Sequence, residues 1–168
     1  MPVRPLSPTD LPRVLELNNA AVPAVGLLDQ PGLEHLVSES SIAWAVCDAE
    51  AGELVGFCLV LDPDADYASV NFHWFAERYE DFVYLDRVVI DAAWKGQGLG
   101  RELYGLVEAH VAANGGAAWL CLEVNLRPRN DASLAFHERL GFSEVGQQET
   151  PYGALVTMQT KPLPQLSA

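Results

Sequence analysis

The feature that most constrains this chain is a strand that leads through a glycine loop into a helix, within residues 81–101. It opens with an apolar, β-branched run typical of a buried strand, and glycines follow at alternate positions, Gly96, Gly98 and Gly100. A helix is predicted over 99–114, because apolar side chains recur there at helical spacing. Glycines let consecutive backbone N–H groups converge, and a helix N-terminus adds the positive end of its dipole. The stretch therefore predicts a binding site for an anion, and a phosphorylated ligand is the expected one.

Length and patterning favour one domain of ordinary size. The 168 residues are enough to bury a core without disulfides or a metal. We predict a single domain over residues 1–161 and a C-terminal tail over 162–168. No apolar stretch is long enough to span a bilayer, and the first ten residues lack a basic segment followed by an apolar one. We therefore expect a cytoplasmic protein without a membrane partner.

The charge distribution restricts the possible partners. A formal net charge of −13 argues against nucleic acid, because a surface that follows phosphates needs an excess of Lys and Arg. A cationic or neutral small partner is easier to accommodate. Six of the ten basic residues nevertheless lie around and after the glycine loop, where they favour an anionic cofactor. These six are Arg87, Lys95, Arg101, Arg127, Arg129 and Arg139.

Neither a disulfide nor a metal site is expected. The three cysteines, Cys47, Cys58 and Cys121, lie inside apolar runs, which is typical of small buried side chains in a reducing compartment. Alternating aspartates in residues 62–66 are similar to the start of a calcium loop, but Tyr67 stands where that loop requires glycine. We interpret them as solvated turn carboxylates.

Two well-known kinds of phosphate-binding loop match the glycine stretch only in part. A nucleotide-hydrolysing loop needs Gly-Lys-Ser/Thr, and residues 99–102 do not supply it. A dinucleotide fingerprint needs a glycine where Arg101 stands, although Glu123 lies roughly where a ribose-binding acid is expected. The alternating strand and helix pattern of that fold ends almost at once, so the dinucleotide site is the weaker alternative.

The segment Lys95-Gly96-Gln97-Gly98-Leu99-Gly100 resembles the Gln/Arg-x-x-Gly-x-Gly/Ala coenzyme A loop of the GCN5-related N-acetyltransferases (GNAT superfamily), with lysine where the family usually has Gln or Arg. Residues 130–142 resemble the late helix and Gly-Phe strand start of the family, and residues 3–11 its first strand and helix entry. The resemblance covers essentially the whole chain. Within the superfamily, the Ser133 to Glu138 pattern and the strand end at residues 123–125 resemble a poorly characterised bacterial subgroup.

The resemblance implies an α/β (α+β) fold, the GNAT acyl-CoA N-acyltransferase fold. Its sheet is mixed, mostly antiparallel and twisted, with helices on its flanks. Strands over 82–90 and 117–124 are expected to run parallel across the helix of 99–114. Their C-terminal ends are expected to part and admit acetyl-CoA at this splayed cofactor site.

The activity that the resemblance implies is transfer of an acetyl group from acetyl-CoA to the amine of a small molecule or amino-acid-like acceptor, by direct attack. One alternative is a non-catalytic acyl-CoA-binding sensor that uses the same loop. A less favoured alternative is a nicotinamide-dinucleotide enzyme. A homodimer is a further expectation, because apolar segments near residues 22–33 or in the last hairpin offer surfaces for a second copy.

The residues implied for cofactor binding lie on the central strand, the glycine loop and the late helix. The backbone of the strand is expected to pair with the pantetheine arm, and the N–H groups of the loop with the pyrophosphate. Asn130 and Ser133 share one stripe of the late helix and can hydrogen-bond the cofactor, although helix capping is an equal role for Asn130. The full set is Val88, Val89, Ile90, Lys95, Gly96, Gln97, Gly98, Leu99, Gly100, Arg101, Asn130, Ser133 and Phe136.

Acetyl transfer needs a base for the amine, donors for the oxyanion and an acid for the departing thiolate. Asp86 and Glu123 are the candidate bases, either of them directly or through water. A structural ion pair with Arg87 is the alternative role for Asp86. A backbone N–H near Val88 or Val89 is implied for the oxyanion. His137 stands at the helix position where the family often has a tyrosine that acts as the general acid. His137 is therefore either the general acid or a hydrogen-bonding group of the fold.

The acceptor site is predicted from loop position and aromatic content. Aromatic side chains accumulate between Tyr67 and Tyr79, which is typical of either a flap packed on the core or a wall of a substrate pocket. Both interpretations stay open at this point. The predicted substrate-binding residues are Asn19, Trp74, Phe75, Tyr79 and Asn125, with Asn18 and Val22 as further candidates.

Overall fold

The structure is a computed structural model that describes residues 1–164. Within that range it has seven strands and five α-helices. The strands are β1 (Val3–Pro5), β2 (Ser40–Cys47), β3 (Leu54–Leu61), β4 (Phe82–Ile90), β5 (Trp119–Arg127), β6 (Ser143–Glu149) and β7 (Leu155–Pro162). The helices are α1 (Leu11–Ala20), α2 (Gln30–Glu39), α3 (Val70–Ala76), α4 (Leu99–Ala113) and α5 (Asp131–Leu140).

All seven strands form one sheet in the order β1-β2-β3-β4-β5-β7-β6. Every neighbouring pair is antiparallel except β4 and β5, which are parallel and are connected by α4. A parallel pair needs such a crossover, whereas antiparallel strands can be joined by a hairpin. The predicted mixed, mostly antiparallel sheet with flanking helices is confirmed.

The core has two layers, one on each face of the sheet. One face is covered by α1, α2 and α3, which contribute Val14, Leu33 and Phe72 among others. The opposite face is covered mainly by α4, with buried Leu103 and Val107. The central strands therefore need apolar side chains on both faces, which explains why every residue of β3 is buried and why these strands are continuous hydrophobic runs.

Element boundaries agree with the sequence at the centre of the fold and differ at its edges. The central strand spans the predicted residues 82–90. Helix α2 begins at Gln30, because the Asp29 side chain accepts a hydrogen bond from the Gly32 N–H and caps its first turn. Residues 70–76 form a helix that the aromatic clustering did not reveal, capped by the Ser69 hydroxyl.

The predicted start of the C-terminal tail at residue 162 is wrong. Pro162 is the last residue of β7, where it pairs with Trp119. Leu163 is buried in the core, and its N–H donates to the Ala118 carbonyl. Residues 165–168 of the tail lie outside the described residues. Among residues 1–164, no helix is long and apolar enough to cross a bilayer.

Candidate active site

The two parallel strands separate after three paired positions. The pairing of β4 with β5 ends at Tyr84 and Cys121, although both strands continue well beyond that point. Beyond Tyr84, β4 keeps its partner β3 on one edge, and no strand within residues 1–164 pairs with the other edge. Asp86 and Glu123 each lie two residues past the last pair, so the opening is flanked by two carboxyl groups. The expected splay of these strands is present.

A β-bulge in β4 places Asp86 and Arg87 on the same side of the strand. Leu59 pairs with Arg87 and Val60 with Leu85, so Asp86 is an extra residue without a partner in β3. Adjacent side chains of a regular strand point to opposite faces, and a bulge removes that constraint. The Arg87 Nε donates to Asp86 Oδ2 at 2.8 Å, and both side chains are buried.

The opening between the strands is part of a cavity of about 670 Å³. This volume is in the range of small-molecule sites in proteins. Its floor contains Asp86, Arg87 and Glu123, and its walls come from the loop between α1 and α2, the segment before α3, and the turn between β6 and β7. The wall residues are Val22–Leu27, Tyr67–Asn71, Asn125, Pro128, Pro151–Ala154 and Val156.

Both oxygens of the Glu123 carboxyl group accept hydrogen bonds. The Tyr84 hydroxyl donates to Glu123 Oε2 at 2.6 Å, and Asn71 Nδ2 donates to Oε1 at 3.1 Å. Burial raises the pKa of Glu123 to about 7, while the two hydrogen bonds oppose that rise and the nearby Asp86 charge adds to it. A carboxyl group with a pKa near neutrality, in a cavity, is suited to accept a proton at physiological pH.

A buried amide connects Glu123 to the turn between β6 and β7. Asn71 Nδ2 also donates to the Tyr152 hydroxyl at 3.2 Å, and its Oδ1 accepts from Gln148 Nε2 at 2.9 Å. The position of Asn71 is fixed by the first turn of α3, where the Ser69 hydroxyl accepts from the Asn71 N–H. No sequence pattern identifies Tyr84, Asn71 or Tyr152 as site residues, because each belongs to a different element and only the fold brings them together around Glu123.

Arg87 holds the loop that forms one wall of the cavity. Its Nη1 donates to Asn18 Oδ1 at 2.7 Å and to the Gly26 carbonyl at 2.6 Å. Asn19 exchanges two hydrogen bonds with the backbone of Leu28 and therefore fixes the end of this loop. Asn19 is not among the residues that line the cavity, so its predicted role as a substrate contact is corrected to a role in loop structure.

The aromatic residues predicted as acceptor walls lie away from the cavity. Phe75 is completely buried in the core, with its ring edge-to-face against Trp74. Trp74 covers Gly146, where an added Cβ would lie 2.6 Å from the indole, and Tyr79 packs on Trp119. For Trp74, Phe75 and Tyr79 the pocket-wall prediction is therefore wrong, because these three side chains pack in or against the core and none lines the cavity.

Asn125 differs from those aromatics because it lies in the cavity wall. Its Nδ2 donates to the Pro23 carbonyl at 2.8 Å, so it connects β5 to the loop held by Arg87. Val22 lines the same cavity, and Asn18 contributes behind it through Arg87. The loop positions in the sequence therefore located part of the wall.

The glycine loop has the backbone shape that an anion site requires. Gly96 and Gly98 have φ of 79° and 81°, in the left-handed region that glycine adopts without strain. Gly98 is the N-cap of α4 and makes no side-chain cap, so the first N–H groups of this 15-residue helix point into the loop. At Gly100 an added Cβ would lie 3.3 Å from the Phe136 ring, so glycine permits the close approach of α4 and α5.

The polar stripe of α5 is engaged within the fold. The Asn130 side chain accepts from the Ser133 N–H and caps the helix, so capping is the role that the structure shows for Asn130.

His137 Nδ1 lies 2.7 Å from the Ser133 carbonyl, and the Tyr104 hydroxyl lies 2.7 Å from Nε2. The carbonyl requires a donor, so Nδ1 carries the hydrogen and Nε2 accepts. Burial lowers the pKa of His137, which is buried and does not line the cavity. The predicted general acid is corrected to a structural histidine, because both ring nitrogens are occupied.

The dinucleotide alternative does not fit this architecture. A doubly wound dinucleotide fold needs a series of parallel strands, and in residues 1–164 only β4 and β5 are parallel. Glu123 lines the cavity, where it accepts a hydrogen bond from the Tyr84 hydroxyl. The architecture therefore does not support the weaker alternative, in which Glu123 would bind a ribose.

Comparison with known proteins gives a consistent assignment. The acetyltransferase (GNAT) family model matches residues 13–142. Mycothiol acetyltransferase from Gordonia bronchialis is 32% identical over 131 residues, covering 77% of this chain and 39% of that protein. The chain thus spans about two fifths of the length of that curated relative.

Solved structures share the fold at low sequence identity. The ribosomal-protein-S18-alanine N-acetyltransferase from Escherichia coli aligns with a TM-score of 0.74 at 20% identity, over 99% of this chain and 96% of that chain. Ard1 from Thermoplasma volcanium gives 0.77 at 16% identity, over 98% of each chain. An aminoglycoside 6'-N-acetyltransferase complexed with coenzyme A gives 0.74 at 19% identity, over 99% of this chain and 100% of that chain. With the family match over most of its length and this shared fold, the chain belongs to the acetyltransferase (GNAT) family.

Proposed function

We propose that this protein is an acetyl-CoA-dependent N-acetyltransferase that moves the acetyl group to the amine of a small molecule by direct attack. Membership of the acetyltransferase family supports the reaction class. The single observation that carries the proposal is Glu123, a partly buried carboxyl group with a pKa of about 7 at the floor of a cavity between two parted strands. A single catalytic domain that acts in the cytoplasm is part of the same proposal.

The residues present fit acetyl-CoA, which supplies the acetyl group as a reactive thioester. The left-handed glycines at 96 and 98 and the uncapped N-terminus of α4 suit the pyrophosphate, because both present backbone N–H groups. The edge of β4 that faces the opening suits an extended pantetheine arm, since a strand edge pairs with extended chains. Backbone N–H groups near Val88 or Val89 remain our predicted donors to the oxyanion.

Glu123 is the proposed base. An amine enters as the ammonium form and must lose a proton before it attacks. Glu123 accepts this proton, directly or through water, while Tyr84 and Asn71 hold the carboxylate in place. Asp86 is less suited to that task because its Oδ2 is taken by the charged Arg87 side chain. We propose that Asp86 instead neutralises Arg87 and thereby holds the loop at Gly26.

The test combines binding and turnover. We expect calorimetry to detect acetyl-CoA binding, and CoA release to exceed background with members of a panel of small primary amines. Glu123→Gln should lower kcat/KM by about 100-fold or more with acetyl-CoA affinity unchanged, in line with the loss of a general base. Binding without CoA release from any amine would instead favour the acyl-CoA sensor. Absence of acetyl-CoA binding would contradict the proposal itself.

A further inference from the structure

Exposed apolar side chains surround the mouth of the cavity. Within residues 1–164, five large hydrophobic side chains are exposed, and Val22, Leu27 and Tyr152 line the cavity with exposed fractions of 42%, 73% and 70%. The other two, Leu106 and Val145, are not among the lining residues. Apolar side chains that are grouped at a concave site, rather than scattered, mark a surface that receives a ligand.

The charged groups of the cavity lie below this rim. They are Asp86, Arg87 and Glu123. The guanidinium of Arg87 already donates from Nε to Asp86 and from Nη1 to Asn18 and the Gly26 carbonyl. Its side chain is only 7% exposed. The Asp86–Arg87 pair therefore adds no net charge to the cavity, and Glu123 is the group that remains.

Other cations near the cavity are also paired. Arg127 and Arg129 flank the lining residue Pro128. Arg127 pairs with Glu149 at 3.0 Å, and Arg129 pairs with Asp131 at 2.6 Å. Neither residue lines the cavity. A substrate carboxylate thus meets no unpaired positive side chain among the lining residues of the described chain.

We propose that the acceptor is a primary amine on an apolar body that carries no carboxylate close to the amine. The inference rests on the proposed function and names the substrate class of the same site. The ammonium group is drawn toward Glu123, and the apolar body packs on Val22, Leu27 and Tyr152 at the rim. A carboxylate on the carbon next to the amine would enter beside Glu123, where like charges repel and nothing compensates its lost hydration. Free amino acids are therefore rejected.

A matched pair of amines tests the inference. 2-Phenylethylamine and phenylalanine share the benzyl group and differ in the carboxylate. The ammonium group of 2-phenylethylamine is the less acidic of the two, so easier deprotonation does not explain a preference for it. We expect kcat/KM for 2-phenylethylamine to exceed that for phenylalanine by at least about tenfold. Equal or greater kcat/KM for phenylalanine would overturn the inference.

Variants at the rim add a second readout. Leu27→Ser should raise KM for 2-phenylethylamine by about threefold or more, with kcat and the KM for acetyl-CoA unchanged, because apolar contact with the acceptor is lost. Val145→Ser is the matched control, since Val145 is exposed but lies outside the cavity. Val22→Lys should lower the ratio of kcat/KM for 2-phenylethylamine to kcat/KM for phenylalanine by about threefold or more, because it places a cation at the rim that attracts the carboxylate. An equal KM for 2-phenylethylamine in Leu27→Ser and Val145→Ser would contradict contact between the acceptor and the rim.

The outcomes separate the two proposals. A protein that fails to bind acetyl-CoA contradicts the proposed function. A protein that binds acetyl-CoA and releases CoA with phenylalanine as readily as with 2-phenylethylamine retains that function and contradicts the acceptor class. A protein that binds acetyl-CoA and acetylates neither member of the pair also contradicts the acceptor class, since the simplest apolar amine is then refused.

Discussion

Tyr84 of β4 donates its phenolic hydrogen to Glu123 of β5 at 2.6 Å; Tyr84 belongs to the last residue pair that joins the two strands, and Glu123 lies two residues past that pair. The hydroxyl thus bridges the strands where their backbones no longer do. Tyr84 is fully buried, so its hydroxyl is fixed by the core and holds the Glu123 carboxyl in place at the cavity. The catalytic proposal depends on this contact.

Removing the hydroxyl should move the pH dependence of the reaction. The pKa of Glu123 is about 7, so kcat/KM is expected to rise with pH through about 7 as the base deprotonates. Tyr84→Phe removes a hydrogen bond that lowers this pKa, and the rise should therefore occur at higher pH. The variant should lose more activity at pH 6.5 than at pH 8.5. Tyr79→Phe is the control, because Tyr79 packs on Trp119 outside the cavity, and an unshifted profile for Tyr84→Phe would contradict the role of Glu123.

Glu123 should also leave a signature in stability. Its pKa rises from 4.5 to about 7 on folding, so the folded protein binds the proton more tightly than the unfolded chain does. The cost of ionising the buried group is absent well below pH 4.5, grows as the pH rises, and is complete above pH 7. The free energy of unfolding of Glu123→Gln, relative to that of the wild type, is therefore expected to increase as the pH is raised from acidic to alkaline values, by on the order of 3 kcal/mol at most. Urea unfolding at several pH values measures the gap, with exposed Glu50→Gln as the control.

Two glycines of the same region should respond in opposite directions to alanine. Gly98 has φ of 81° at the N-cap of α4, so Gly98→Ala strains the loop and should destabilise the fold by about 1 kcal/mol. It should also raise KM for acetyl-CoA. Gly105 lies within α4, and an added Cβ there meets nothing within 4 Å. Gly105→Ala should therefore stabilise the helix by about 0.5–1 kcal/mol and leave KM unchanged. Equal KM values for the two variants would argue against the loop as the cofactor site.

The buried His137 should matter for folding rather than for proton transfer. Tyr104→Phe leaves His137 Nε2 without its 2.7 Å partner, and an unpaired buried polar atom costs roughly 1–3 kcal/mol. We expect a lower urea midpoint and a kcat within about twofold of the wild type, because His137 does not line the cavity. A large loss of kcat in a variant of unchanged stability would restore His137 as a candidate acid.

Local signals in the sequence determined the framework of the protein. The β-branched run of 82–90, the glycines after it and the helix from Leu99 are each fixed by neighbours in the chain, through strand propensity, left-handed φ and helical periodicity. The same holds for the cap at Asn130 and for the family resemblance carried by these segments. The family resemblance implied the parallel pair of strands across α4, and the structure contains that pair.

Most of the candidate acceptor site was decided by tertiary structure. Aromatic content near residues 72–79 suggested a pocket wall, but helix α3 turns Phe75 into the core and leaves Asn71 facing Glu123. A bulge, which no local pattern announced, put Asp86 beside Arg87 and thereby changed a candidate base into one half of an ion pair. His137 lost its predicted role because Tyr104, from another helix, occupies its free nitrogen. The physical reason is the same in all three cases. The chemistry of a side chain depends on its contacts with residues distant in sequence, and the sequence shows the spacing of residues along the chain but not those tertiary contacts.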